Sequence, residues 1–219
     1  MKPQRAVLGL KVMLWMGALT PGAWLVTGLS QGWLGANPIE KLTHVTGLTA
    51  LTLLLLTLSI TPLRRITGWN PIIKLRRPMG LFAFFYALAH FSIWFVFDMV
   101  FDVTFMIADV IERKYITVGM TALLILIPLA VTSTTGWIRR LGKRWTKLHR
   151  AAYVATALGV VHFYWLVKSD VRLPLLLAAC FAVLMLLRVP RISDAVSRSR
   201  RRRPAATAEV GGSAITGQD

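Results

Sequence analysis

The stretch "KLHRAAYVATALGVVHFYWLV" (residues 147–167) decides the fold. Beyond Arg150 it is apolar over a length close to the ~20 residues a helix needs to cross a bilayer. Yet it carries His149 at its mouth and His162 deep inside. Working outward, similar apolar runs recur at 9–29, 44–60, 79–97, 118–138 and 173–188, with this one occupying 150–168. The reading is an all-α polytopic membrane protein, a six-transmembrane-helix bundle over residues 1–189, followed by a basic tail at 190–219. The tail has no apolar periodicity and is expected to be disordered, its arginines serving as a topology anchor or else resting on anionic lipid. The first run has the basic flank of a signal peptide, but no small-residue cleavage site follows, so it reads as a retained span. Pro62 is expected to close the second run, and Pro128 to kink the fourth. No internal repeat stands out.

Composition agrees. The chain is 55% hydrophobic and only 16% charged, yet its formal net charge is +17, with a mean hydropathy of +0.59. A nucleic-acid-binding domain can be as basic, but keeps its apolar residues in short amphipathic runs, so no nucleic-acid partner is expected. The single cysteine, Cys180, excludes an intramolecular disulfide and a Cys-ligated zinc or iron–sulfur site.

The cations are sorted by loop. Three of the 26 Lys and Arg lie in 1–11, five between the second and third runs, six between the fourth and fifth, and seven from Arg188 onward. The remaining five, Lys41, Arg113, Lys114, Lys168 and Arg172, share the alternate loops with six of the nine acids. By the positive-inside rule both termini are cytoplasmic. Trp33, Trp69, Trp137 and Trp145 sit near run ends, as an interfacial belt does.

All four histidines, His44, His90, His149 and His162, fall at or inside the runs. Neutral histidines hydrogen-bonded between helices would be the ordinary structural use; an intramembrane ionisable group is otherwise a functional candidate. Depth favours function. His90 lies about 16 Å along its helix from Met79, and His162 about 20 Å along its own from His149, at 1.5 Å per residue. Running in the same direction, the two reach similar depths in the outer half of the bilayer, where a pair of imidazoles can hold a six-coordinate haem iron. His149 would then address a second haem near the cytoplasm. On one ideal helix, however, His149 and His162 point roughly 140° apart, and the position thirteen before His90 is Arg77, so His149 has no evident partner. Arg76, Arg77, Arg139, Arg140, Lys143 and Arg144 share its level and are candidate haem propionate partners, though topology alone explains most of them. His44 opens the second run at the outer surface, as a loop anchor or as part of an outer docking or quinol site. Trp94, Tyr86, Tyr164 and Trp165 could pack on a porphyrin, although aromatics in a span more often simply pack. No G-x-G-x-x-G following a strand and no P-loop occurs, so electrons are expected from quinol or a separate cytoplasmic flavin reductase.

At "HVTGLTAL", "ITPLRR", "RRPMGLFAFFYALAH", "TSTTGWIRRLGKRWTKLHRAAYVA" and "HFYWLVK" the chain resembles the MsrQ (YedZ) family of the ferric-reductase-like transmembrane superfamily, from about Gly9 to Leu187. The resemblance implies a six-span haem b protein (one or two haems) of the bacterial inner membrane. Its implied partner is a periplasmic molybdopterin reductase, MsrP, that repairs methionine sulfoxide, and catalysis is expected on that partner. It also implies an FMN and puts the haem ligands at His90, His149 and His162. The chain departs from the NADPH oxidase relatives, which carry paired histidines on both helices and a fused flavin domain. Competing readings are a ferric reductase, the cytochrome b subunit of another periplasmic oxidoreductase, and, in a different class, a small transporter or structural subunit.

Overall fold

The computed structural model describes residues 3–189, all of whose regular elements are helical. The tail expected at 190–219 lies outside the described residues. Among the described residues nine α-helices follow one another: α1 (Pro3–Gln31), α2 (Pro38–Thr67), α3 (Arg76–Ile93), α4 (Val103–Glu112), α5 (Lys114–Val131), α6 (Thr135–Leu141), α7 (Lys143–Leu148), α8 (Ala151–Leu166) and α9 (Arg172–Leu186). A 3₁₀ turn at Asn70–Leu75 leads into α3, and a π-helical turn at Trp94–Asp98 extends it.

By length and apolarity, four segments among the described residues can cross a membrane: Val7–Gln31, Pro38–Thr67, Asn70–Asp98 and Lys114–Val131. α8 and α9 have 16 and 15 residues, about 24 and 22 Å of helix against a hydrocarbon core of about 30 Å. The expected fourth span at 118–138 is corrected. α5 stops at Val131, three residues after Pro128, and a separate short helix, α6, starts at Thr135 behind an N-cap hydroxyl, with Thr134 accepting from the Trp137 N–H. The amphipathic α4 was not expected from the sequence.

Pro62 does not close α2, which runs on to Thr67. A proline at this position leaves the carbonyl four residues earlier, Leu58, without its donor. The Arg188 guanidinium, from just beyond α9, donates to that carbonyl instead. The helix ends instead at Gly68, whose left-handed φ of 69° lets its N–H close on Arg64 O at 2.8 Å. At the other end Asn37 caps α2: its side chain accepts from Glu40 N at 3.2 Å and its amide donates back to the Glu40 carboxylate at 3.0 Å, ahead of Pro38 at the first helical position.

The helices pack as two antiparallel hairpins, α2 with α3 and α5 with α8. They meet through Leu53 and Leu54 of α2, Ala83 of α3, Leu126 of α5 and Ala155 of α8. Ala83 and Ala155 are fully buried. Small residues there let the two hairpins approach closely, α3 against α5 and α2 against α8, as helices in lipid must when no hydrophobic effect drives them together. α1 lies outside and is stitched on by one phenol. The Tyr86 hydroxyl accepts from Gly22 N at 2.9 Å and donates to Ala18 O at 2.6 Å. It thus replaces the helix's own bond in the turn loosened by Pro21. Large apolar side chains face outward along the long helices, among them Met13, Val26, Phe85, Leu124 and Leu176, as lipid-facing surfaces do and water-facing ones do not.

Candidate functional site

His90 stands in the last turn of α3 and His162 near the end of α8. Their ring centroids are 6.0 Å apart, with the planes at 84°. Each ring is held from behind in the same way. His90 Nδ1 lies 2.8 Å from Thr43 O on α2, and His162 Nδ1 lies 2.7 Å from Tyr115 O on α5. A carbonyl only accepts, so in each ring Nδ1 carries the proton and Nε2 keeps its lone pair. This is the second-contact arrangement that makes a histidine ready to bind a metal. Metal–nitrogen bonds of about 2.0 Å on either side of one ion put two such ring centroids about 6 Å apart.

Two glycines allow the approach. A Cβ on Gly47 would sit 2.9 Å from Nδ1 and Cε1 of His90, and one on Gly119 would sit 2.6 Å from Nδ1 of His162. Each glycine lies one turn beyond the carbonyl its histidine bonds. Thr43 and Tyr115, Gly47 and Gly119, Ala83 and Ala155, and His90 and His162 are all 72 positions apart. The two hairpins are therefore an internal repeat, contrary to the expectation of none. Its trace was in the sequence as "GLTAL" at 47–51 against "GMTAL" at 119–123, and "HF" at 90–91 against 162–163. Between those short matches the repeat is too diverged to see. Just past His90 the π-helical turn re-aims the chain, with Trp94 N sharing the carbonyls of His90 and Phe91, a distortion that tends to mark functional sites.

His149 stands apart. It caps α7, and α8 begins only at Ala151, so His149 and His162 do not share a continuous helix and the expected 140° conflict does not arise. The ring stacks on Trp145, with centroids 3.9 Å apart. Its Nε2 is 3.1 Å from Thr132 Oγ1, while Trp145 Nε1 donates to Thr132 O at 2.9 Å. Burial, and secondly the nearby Arg76 cation, hold its pKa below the usual histidine range, so the ring is neutral near pH 7. No second imidazole faces it. Thr132 and Trp145 were not singled out in the sequence as partners.

Of the six candidate propionate partners, Arg76 is the one whose charge reaches His149. Arg140 lies over the Trp137 ring at 5.3 Å; Arg77, Arg139, Lys143 and Arg144 are exposed. His44 is exposed beside the pair, its ring 6.0 Å from that of Phe163. Among the described residues no group of three or more His, Cys, Asp and Glu gathers to hold a bare metal ion. The donor set is two imidazoles from opposite helices, which suits an ion whose other ligands come from a macrocycle.

Residues 46–160 match the family described as the ferric reductase like transmembrane component. A protein of Herminiimonas arsenicoxydans, described as the protein-methionine-sulfoxide reductase heme-binding subunit MsrQ, is 50% identical over 183 residues, 82% of this chain and 84% of that one. Another so described, from Xanthomonas axonopodis pv. citri (strain 306), is 44% identical over 210 residues, 93% of this chain and 96% of its own. The chain belongs to the MsrQ family. No solved structure matches it. In this MsrQ-family chain the matched segment runs from three residues beyond Thr43 to two residues short of His162. It spans both Gly47 and Gly119.

Proposed function

We propose that the chain is a haem b electron-transfer subunit of the bacterial inner membrane, six-span with both termini cytoplasmic. It passes electrons from quinol or a cytoplasmic flavin reductase to a periplasmic MsrP-like molybdopterin reductase that repairs oxidised methionines. The observation that carries this reading is the His90–His162 pair, with both Nδ1 atoms committed to backbone carbonyls at 2.8 and 2.7 Å. The pair fits a haem iron. A haem bound there supplies a one-electron carrier inside the membrane; the chain's part is to hold the two Nε2 lone pairs at fixed spacing and keep water away. Thr43 and Tyr115 orient the rings, and Gly47 and Gly119 let them lie against the helices. His149, neutral and beside Arg76, is the ligand proposed for a second haem nearer the cytoplasm, with Arg76 as its propionate partner. FMN rests on family resemblance, and no residue is assigned to it.

The family match to ferric reductases favours, as a second reading, direct reduction of ferric iron at the outer face. Both readings are tested on purified protein. His90→Ala and His162→Ala should each remove the same component from the reduced-minus-oxidised spectrum, and His149→Ala a different one. A wild-type protein without a Soret band sinks both readings. Electron delivery to an MsrP-like partner, but not to ferric citrate, selects the first.

A further inference from the structure

The corner where α2 and α9 end holds more donor capacity than the fold uses. Leu58 is 1% exposed, and with Pro62 four residues on, its carbonyl takes its hydrogen from Arg188 Nη2. Arg188 Nη1 donates to Leu184 O at 2.9 Å, and the guanidinium lies over the Tyr153 ring of α8 at 5.1 Å. Two of its three nitrogens are thereby engaged. The third, Nε, is buried with no hydrogen-bond partner, as are Thr61 Oγ1 and Arg65 Nη1. Thr61 and Arg65 lie three and seven residues beyond Leu58, on the face of α2 that meets Arg188. By that spacing two guanidiniums and a hydroxyl lie toward one corner with protons unspent.

No carboxylate answers them among the described residues. Glu40, Asp98, Asp102, Asp109, Glu112 and Asp170 all lie at or between the opposite ends of the helices. Buried cations without an anion are costly, and planar guanidinium forks match phosphate oxygens. The rim of the corner is apolar and outward-facing: Leu63 and Ile66 on α2, Val183 and Leu186 on α9 are all exposed. A free anion has no use for such a rim, whereas acyl chains do.

We propose that Thr61, Arg65 and Arg188 form a phosphate-binding site between α2 and α9, occupied by the headgroup phosphate of an anionic phospholipid whose acyl chains lie along Leu63, Ile66, Val183 and Leu186. Such pockets between helices at the basic side of a membrane protein are a known mode of lipid recognition. The site is separate from the paired histidines and does not depend on haem.

The test is native mass spectrometry of the full-length protein, delipidated in detergent and titrated with phosphatidylglycerol, phosphatidylcholine or inorganic phosphate. Wild type should retain one phosphatidylglycerol in preference to phosphatidylcholine. Arg188 also closes the Leu58 carbonyl, so the informative variants are Arg65→Gln and Thr61→Val. Arg65→Gln should weaken retention about tenfold, the scale of one charge-assisted hydrogen bond; Thr61→Val should weaken it less, and Lys74→Gln, an exposed cation at the same end, should not. Arg65→Gln binding like wild type overturns the proposal. Retention of inorganic phosphate without preference for the lipid overturns the assignment of its source. If a chain ending at Val189 binds the lipid and the full chain does not, a carboxylate of the tail is the anion and the proposal falls.

Discussion

At the scale of single residues, each histidine of the pair depends on a glycine that has no chemistry of its own. Adding a methyl at Gly119 brings it to 2.6 Å of His162, and at Gly47 to 2.9 Å of His90. Both contacts are closer than a side chain tolerates. Gly119→Ala and Gly47→Ala should each cost about 1–3 kcal/mol, as overpacking does, and weaken the Soret band while the protein still inserts, with Gly119→Ala the more severe. Haem stoichiometry of membrane-extracted variants checks this. His149 gives a pH dependence. Its native pKa is held below the unfolded value of about 6.5 by burial first and Arg76 second. Between those two values the unfolded chain binds a proton that the native ring refuses. Stability at this site is therefore whole above pH ~6.5 and is lost as pH falls below it. Thermal unfolding of wild type should lose more stability on acidification below that pH than His149→Gln does; equal slopes would remove His149 as the cause. The four histidines were plain in the sequence because ionisable groups are rare in apolar runs. Their partners were not, since Thr43 and Tyr115 act through main-chain carbonyls that every residue possesses.

At the scale of elements, most helices were legible and their ends were not. A run such as 44–60 marks the apolar middle of α2, but the helix extends from Pro38 to Thr67 because its ends are settled by capping and by a distant side chain. Pro62 reads as a terminator from sequence. It is tolerated because Arg188, 130 residues away from Leu58, supplies the missing donor. This makes a testable coupling. Arg188→Gln should cost about 1–3 kcal/mol by leaving a buried carbonyl unmet, and distinctly less in a Pro62→Ala background, where the helix regains its own N–H. A double-mutant cycle on unfolding in detergent measures it, and additive effects would refute the link. The reverse error occurred at 118–138. There the run was read through the polar Thr132-Ser133-Thr134-Thr135, but the backbone breaks after Val131 and Thr134 caps a new helix. That break carries Trp145 and His149 into a turn ahead of α8 and brings His149 against Thr132.

At the scale of the whole molecule, charge and packing speak to different questions. The sorting of Lys and Arg predicts that both termini are cytoplasmic. A periplasmic reporter fused after Arg203 should be inactive and a cytoplasmic one active; the opposite result would invert the depth of every site described above. The repeat of α2–α3 in α5–α8 explains why the pair is so nearly symmetric. Two copies of one hairpin, each with its carbonyl, glycine and histidine, face each other across Ala83 and Ala155. The symmetry fails at one informative place, where Arg77 stands opposite His149, 72 positions away. One copy has a histidine at the basic end and the other a cation, so the basic end has one imidazole and the level of His90 and His162 two facing ones.

The sequence by itself determined the class of the protein, because apolar length and charge sorting are properties of composition along the chain and need no contacts to act. It also determined which side chains bear the chemistry, and its motifs carried the family. Tertiary structure decided everything that depends on two segments meeting. It brought His90 and His162 to 6.0 Å, fixed their tautomers through carbonyls on neighbouring helices, and left His149 with a threonine and a tryptophan rather than a second imidazole. It also turned Pro62 from a helix end into a docking point for Arg188. The histidine pair and the Arg188 contact rest on hydrogen bonds between residues tens of positions apart, whose partners are main-chain carbonyls, and main-chain atoms leave no mark in an amino-acid sequence.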